Sequence, residues 1–252
     1  MMKNVLVIGY KGEIGSALIE VIEDSNKYNV FKKDIEELEI KEKIDIMHIC
    51  IPYFDNFVDI VVDYIDEYNP ELVIINSTLR PGTTQKIYEK RKCRIVHSPV
   101  RGKHPHMKEG LLKHLKFIGP IDSESGKMAK EHFQSIGIKC ETLNGTIETE
   151  IGKLFSTTYY ALCIAYHQEM ERVCKKFNVD FSQAITRFNE TYNNASRELN
   201  PNVVRPVLTP GFIGGHCLMP NINILKKDIK SDFLSAIEKS NEKKKKELEK
   251  EK

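Results

Sequence analysis

The chain has 252 residues, a formal net charge of +2, 40% hydrophobic and 29% charged residues, a composition ordinary for a globular protein of one large or two modest domains. So balanced a charge gives no footprint for nucleic acid or an anionic membrane surface, and no apolar run reaches the length of a membrane span. The six cysteines form no CxxC pair, and the N-terminus MMKNVLVIGY lacks the marks of a secretion signal; they are expected as reduced thiols of a cytoplasmic protein.

Residues 3–8, KNVLVI, read as a buried parallel strand. Gly9-Tyr-Lys-Gly12-Glu13-Ile14-Gly15 follows at once, and then an amphipathic helix through Ile19, Val21 and Ile22. Strand, glycine turn and helix together suit a dinucleotide: Gly9 makes the tight turn, Gly12 lets the backbone approach a pyrophosphate, and Gly15 lets helix and strand pack closely. The spacing is GxxGxxG rather than GxGxxG, so a tight turn without nucleotide stands as the alternative. A short strand, Tyr28 to Phe31, leads to Asp34, 19 residues after Gly15. A carboxylate there bonds ribose hydroxyls and favours NAD over NADP. Lys32 and Lys33 leave NADP open, and Asp34 as a helix cap is the other role.

Residues 45–51 read as the next strand, closed by Pro52, followed by a helix over 54–68 and a strand over 72–76. The loop Ser77–Thr84 holds Thr78 and Arg80. A strand over 94–97 runs into the loop 98–106, which holds Arg101 and Lys103. A short strand (116–119), a helix (123–136) and a last strand (138–143) complete an α/β domain with a Rossmann-type parallel sheet covered on both faces. In such sheets the ligand crevice lies beyond the carboxyl ends of the strands, where all these loops fall. Arg80, Arg101 and Lys103 suit an anionic substrate there.

The stretch 146–177 is the longest with helical character, about 45 Å if fully helical. It has a broad apolar face through Leu154, Phe155, Thr158, Ala161 and Ala165, and Lys153 lies beside Phe155 on this helix, either partly buried or snorkelling over a packing face. The helix opens a smaller, all-helical second domain. We place the domains at 1–144, 145–240 and a charged tail at 241–252. In the second domain Gly211-Phe-Ile-Gly-Gly-His216-Cys217 puts a thiol beside two glycines, where it could attack an aldehyde; a structural cysteine is the alternative. His97, His104, His106, His216 and Cys217 match no zinc spacing, so no metal is expected.

With these motifs in place, the chain resembles the UDP-glucose/GDP-mannose dehydrogenase family of nucleotide-sugar dehydrogenases over about residues 3–222. The resemblance implies oxidation of a sugar alcohol to a carboxylate with two NAD, through a thiohemiacetal and a thioester. It makes GYKGEIG (Gly9, Gly12, Glu13, Ile14, Gly15) the dinucleotide turn and Asp34 the ribose carboxylate, and adds Pro52 and Thr78 to the cofactor site. NSTLRPGTT places Thr78 at the family's active-site threonine, EIGKLFSTTYY places Lys153 at its lysine, and PGFIGGHCLMPN places Cys217 at its nucleophile. Three positions depart. The family's Pro-Glu is Pro99-Val100 here, its asparagine four residues after the lysine is Thr157, and its aspartate four residues after the cysteine is Asn221. Thr157 and Asn221 are kept as catalytic candidates, and His216 joins Arg80, Arg101 and Lys103 as substrate contacts.

The resemblance further implies a homodimer through the 146–177 helix. The 31 residues after Asn221 are too few for another α/β domain with its own core, so a small anionic or sugar substrate is expected. A single two-electron alcohol or hydroxyacid oxidation, and a non-catalytic Rossmann-fold binding protein, are the alternatives.

Overall fold

The computed structural model describes residues 2–35, 40–102 and 105–250. The chain divides into two compact units, Met1–Lys153 and Leu154–Lys252. The first is built in the order β1 (Lys3–Ile8), α1 (Glu13–Asp24), β2 (Tyr28–Lys33), β3 (Ile46–Ile49), α2 (Phe57–Tyr68), β4 (Leu72–Ile75), α3 (Thr83–Lys90), β5 (Ile95–His97), α4 (Met107–Lys113), β6 (Lys116–Pro120), α5 (Ser123–Ser135) and β7 (Cys140–Thr142). These strands form one seven-stranded sheet in the order β2-β1-β3-β4-β5-β6-β7. The chain leaves β1 for one side of the sheet and returns at β3 on the other, so the strand order reverses between β1 and β3.

Strands that are apolar throughout must be covered on both faces, and they are. Val5, Val7, Ile46 and Leu72 point into one core with Leu18 and Ile22 of α1 and Phe133 of α5. Their neighbours Leu6, Ile8, Met47 and Val73 point into the other, with Phe57 and Val61 of α2. Two strands depart from the parallel expectation: β6 pairs antiparallel to β5, and β7, parallel to β6, shares its direction.

The second unit holds most of α6 (Thr146–Lys176), together with α7 (Arg187–Leu199), α8 (Leu218–Lys226) and α9 (Asp232–Lys250). No helix among the described residues is long and apolar enough to cross a membrane. The core of this unit joins Leu154, Ala161 and Ala165 of α6 to Ile222 and Leu225 of α8 and Leu234 and Ile237 of α9. Two features differ from the boundaries read in the sequence. The division lies at 153/154 rather than 144/145, because the first turns of α6 bond back into the first unit through Thr149, Glu150 and Lys153. Residues 241–250 continue α9 rather than forming a separate tail, with Asn241 and Lys244 buried. Their polar ends are satisfied inside the unit, the Lys244 ammonium by Glu171, which hydropathy cannot register.

Candidate active site

The β1–α1 turn lies at the point where the strand order reverses. Gly9 has φ +81°, and a Cβ there would lie 2.9 Å from the Cys50 carbonyl oxygen. A Cβ at Gly15 would lie 2.3 Å from the Gly9 carbonyl oxygen. Both glycines are therefore demanded by the fold. Gly12 is different: it has ordinary backbone angles, and its Cβ would meet nothing nearer than the Gly9 oxygen at 3.4 Å. Internal packing does not require a glycine there, which fits a backbone left bare for a ligand. Gly12 begins α1 with no side-chain cap, Glu13 is exposed in the first turn and Ile14 packs inward. Uncapped amides and the helix dipole at such a start favour an anion.

The Asp34 carboxylate, just past β2, accepts from the Lys11 amide at 3.2 Å and the Ile35 amide at 3.0 Å. It is held against the glycine turn by the turn's own backbone. Pro52 is exposed just past β3. The residues present thus fit a dinucleotide: a bare glycine at a helix start and a fixed carboxylate on the neighbouring strand.

The loop after β4 is fastened from below. Ser77 donates to the Ile51 carbonyl at 2.5 Å, and its own carbonyl accepts from His97 Nε2 at 2.9 Å. A carbonyl can only accept, so Nε2 carries the proton and His97 Nδ1 is left to accept from the Thr149 hydroxyl at 2.8 Å. Burial pushes this imidazole down to about 3, so it stays neutral. Thr78 follows Ser77, half-buried, and Leu79 is buried.

Glu150, fully buried, accepts from the amides of Gly82 (2.6 Å) and Thr84 (2.9 Å) and from the Thr84 hydroxyl (2.7 Å). It caps α3, which has no side-chain cap of its own. Burial raises its carboxyl above the usual range, and the donors from Thr84 and Gly82 oppose that rise.

One turn after Glu150, the Lys153 ammonium donates to the Val100 carbonyl at 2.8 Å. It meets backbone at Val100, the position that departs from the Pro-Glu pattern, and the Val100 side chain is buried in the core. Lys116, also buried, donates to the Ser98 carbonyl at 2.8 Å, and burial pushes its ammonium down to about 7. Two lysines therefore grip the segment after β5 by its carbonyls. Arg80 is half-buried, while Arg101 is exposed with its guanidinium 5.5 Å from the Phe117 ring. Lys103, like His104, lies outside the described residues.

In the second unit Cys217 is exposed and stands at the start of α8, and His216 beside it is exposed. All six cysteines are free. The two departures in this unit meet each other. Asn221, one turn into α8 and buried, donates to the Thr157 hydroxyl at 3.0 Å, and Thr157 donates to the Leu154 carbonyl at 2.9 Å. These two bonds link an amide, a hydroxyl and a backbone carbonyl. Among the described residues no group of three or more His, Cys, Asp or Glu could hold a metal ion.

The sequence places the turn and Asp34 together, whereas Thr157 and Asn221, read there as separate departures, are joined only in the structure. It did not find Glu150 or Thr149 as anchors. His97 was considered there only for a metal. Glu150 stands one turn before Lys153, which puts both on one face of α6.

Residues 147–243 match the model of the UDP-glucose/GDP-mannose dehydrogenase family, central domain. The UDP-N-acetyl-D-mannosamine dehydrogenase of Methanococcus vannielii is 30% identical over 195 residues, which are 70% of this chain and 43% of that protein. This chain therefore spans less than half the length of that curated relative. The structure of the Pyrococcus horikoshii UDP-D-ManNAc dehydrogenase superposes with a TM-score of 0.79 at 21% identity, over 95% of this chain and 68% of that one. The Mycobacterium tuberculosis 3-hydroxyisobutyrate dehydrogenase superposes with a TM-score of 0.68 at 13% identity, over 96% of this chain and 94% of that one; likeness at these identities concerns the fold.

Proposed function

We propose that this chain, which is related to the UDP-glucose/GDP-mannose dehydrogenases, is an NAD-dependent oxidoreductase acting on an alcohol of a nucleotide-linked or simpler anionic sugar. The observation that carries the reading is the β1–α1 turn, where Gly12 is bare without internal need and Asp34 is fixed by the Lys11 amide. NAD, when bound, supplies the hydride acceptor. Gly12 and the start of α1 receive its pyrophosphate, and Asp34 accepts from its ribose hydroxyls. The Lys153 ammonium, held in place by the Val100 carbonyl, stabilises the oxyanion that develops as the alcohol loses its proton, and Thr78 relays that proton through water. Arg80 and Arg101 take the anionic part of the substrate.

The four-electron route uses Cys217. Its thiolate would add to the aldehyde carbon and hold it as a thiohemiacetal; a second NAD would supply the acceptor for the second oxidation, and water would release the carboxylate and the free thiol from the thioester on Cys217. Over the whole route one alcohol, one water and two NAD give one carboxylate, two NADH and three protons. A second reading, a single two-electron oxidation, has its own support: Val100 and Asn221 offer no carboxylate to activate that water, and Asn221 is committed to Thr157.

The two readings differ in yield. With UDP-N-acetyl-D-mannosamine as test substrate, the four-electron route gives two NADH per substrate and loses the second in Cys217→Ser. One NADH, unchanged by that substitution, selects the two-electron enzyme. No NADH from nucleotide sugars, sugar phosphates or hydroxyacids would remove the enzymatic reading.

The homodimer is part of the same proposal. Phe155, Tyr159, Tyr166 and Val173 of α6 are each at least half exposed, as is Phe177 just past its end. Their spacings of four and seven place them within about 40° around the helix. This stripe is separate from the one buried through Leu154, Ala161 and Ala165. A single self-matching stripe suits a second copy of the same helix across a two-fold axis. Light scattering should report a dimer that Tyr166→Glu dissociates, and a monomeric wild type at micromolar concentration would contradict it.

A further inference from the structure

The segment that delivers Cys217 is secured by a residue of the last helix. From Gly211 to Cys217 every residue is exposed except Ile213, which is 2% exposed. A Cβ at Gly211 or Gly215 would meet no atom within 4 Å, and Gly215 has φ +79°. Such a segment has little of its own to hold it, since burial and internal bonds are what restrain a loop. Its anchor is Ile213. The side chain enters the core of the second unit, and the backbone is clamped on both polar groups. The Ile213 amide donates to Asn241 Oδ1 at 2.7 Å, and Asn241 Nδ2 donates to the Ile213 carbonyl at 3.0 Å.

The clamp is itself locked. Gln168 Nε2 donates to the Gly211 carbonyl at 2.7 Å and to Asn241 Oδ1 at 3.4 Å. Its Oε1 accepts from the Ser240 hydroxyl at 2.7 Å. Arg172 donates to the Ser240 carbonyl at 2.8 Å and bonds Glu247 at 2.7 Å. Gln168 and Asn241 are both buried. An amide side chain buried inside a charged Lys/Glu helix costs stability unless its donors and acceptor are met, and here it is met by one residue of the glycine-rich segment.

The geometry points to Asn241 as the positioning residue for Cys217, with Gln168 fixing the orientation of its amide. Buried and bonded to the Ile213 backbone, it sets where the segment 211–217 leaves the core, and so where the thiol begins. The inference rests on the reading of Cys217 as the acceptor of the aldehyde.

Hydrogen exchange of the whole chain tests the clamp without any substrate. In Asn241→Leu, which keeps the volume and removes both bonds, the Ile213 amide and its neighbours through Cys217 should exchange roughly tenfold faster or more, with α6 and α8 unchanged. Asn241→Asp keeps the acceptor for the Ile213 amide and should restore much of that protection. If Asn241→Leu does not fold, Gln168→Met, which frees the Gly211 carbonyl, takes its place with the same expectation. Unchanged protection, or equal loss across α6 and α8, overturns the proposal. With UDP-N-acetyl-D-mannosamine, Asn241→Leu should lower kcat with little change in the KM for NAD. A loosened segment together with full activity in Cys217→Ser would leave the clamp standing and remove the reading of Cys217 instead.

Discussion

In the β1–α1 turn a methyl group added at Gly9 or Gly15 would run into backbone at 2.9 and 2.3 Å, whereas at Gly211 and Gly215 it would meet no atom within 4 Å. Both segments are rich in glycine and both precede a helix. In the first, glycine is what allows strand and helix to close on each other, and only Gly12 is spare. In the second, glycine leaves space around a thiol, and order comes from outside, through the amides of Asn241 and Gln168. The same residue type thus marks a packing constraint in one unit and an exposed thiol in the other. Which of the two it marks depends on what lies 3 Å away, not on the spacing of the glycines.

The largest test of that contrast is Gly15→Ala. Its Cβ collides with backbone that cannot move aside, so the cost should reach about 3 kcal/mol or more, read from denaturant unfolding, with loss of NAD binding. Next comes the buried ammonium beneath the loop after β5. Burial brings Lys116 from 10.5 to about 7. Between those values the unfolded chain holds the proton that the folded chain has released. Wild-type stability should therefore rise with pH across that window, relative to Lys116→Met, in which this climb is absent. A flat difference between the two would show that Lys116 is not isolated from solvent. Smaller again is Gly215→Ala. Nothing opposes its methyl group, so only the left-handed backbone matters, at about 1–2 kcal/mol, with the Ile213 clamp intact.

The sequence carried what depends on neighbouring residues. The apolar runs at 3–8, 45–51 and 72–76 showed a sheet buried on both faces, and the glycine turn with Asp34 beyond β2 marked the end of the sheet where the proposal puts the cofactor. What it hid depends on partners distant in the chain. Glu150 looks like a surface carboxylate of a helix until Gly82 and Thr84 are seen to bond it. Asn241 sits in a run that reads as solvated, because a buried amide is recognised only by the backbone it clamps. Thr157 and Asn221 read as two separate losses from the family pattern, yet they are one hydrogen bond. The reversal of β6 and β7 was likewise hidden, since it shows only in the pairing with β5 and not in the strands' own residues.

The smallest expected effect on the fold carries the most information on function. Gly12→Ala meets its nearest atom at 3.4 Å, so stability should shift by no more than about 0.5 kcal/mol, while a Cβ at the start of α1 would stand where a pyrophosphate must approach. Calorimetric titration of NAD and NADP into wild type and Gly12→Ala is therefore the most direct test. The account predicts that wild type binds NAD more tightly than NADP, and that Gly12→Ala keeps the wild-type unfolding midpoint yet binds NAD roughly tenfold more weakly or worse, about 1.4 kcal/mol. Equal NAD affinity in the two proteins, tighter binding of NADP, or binding of neither nucleotide would contradict it.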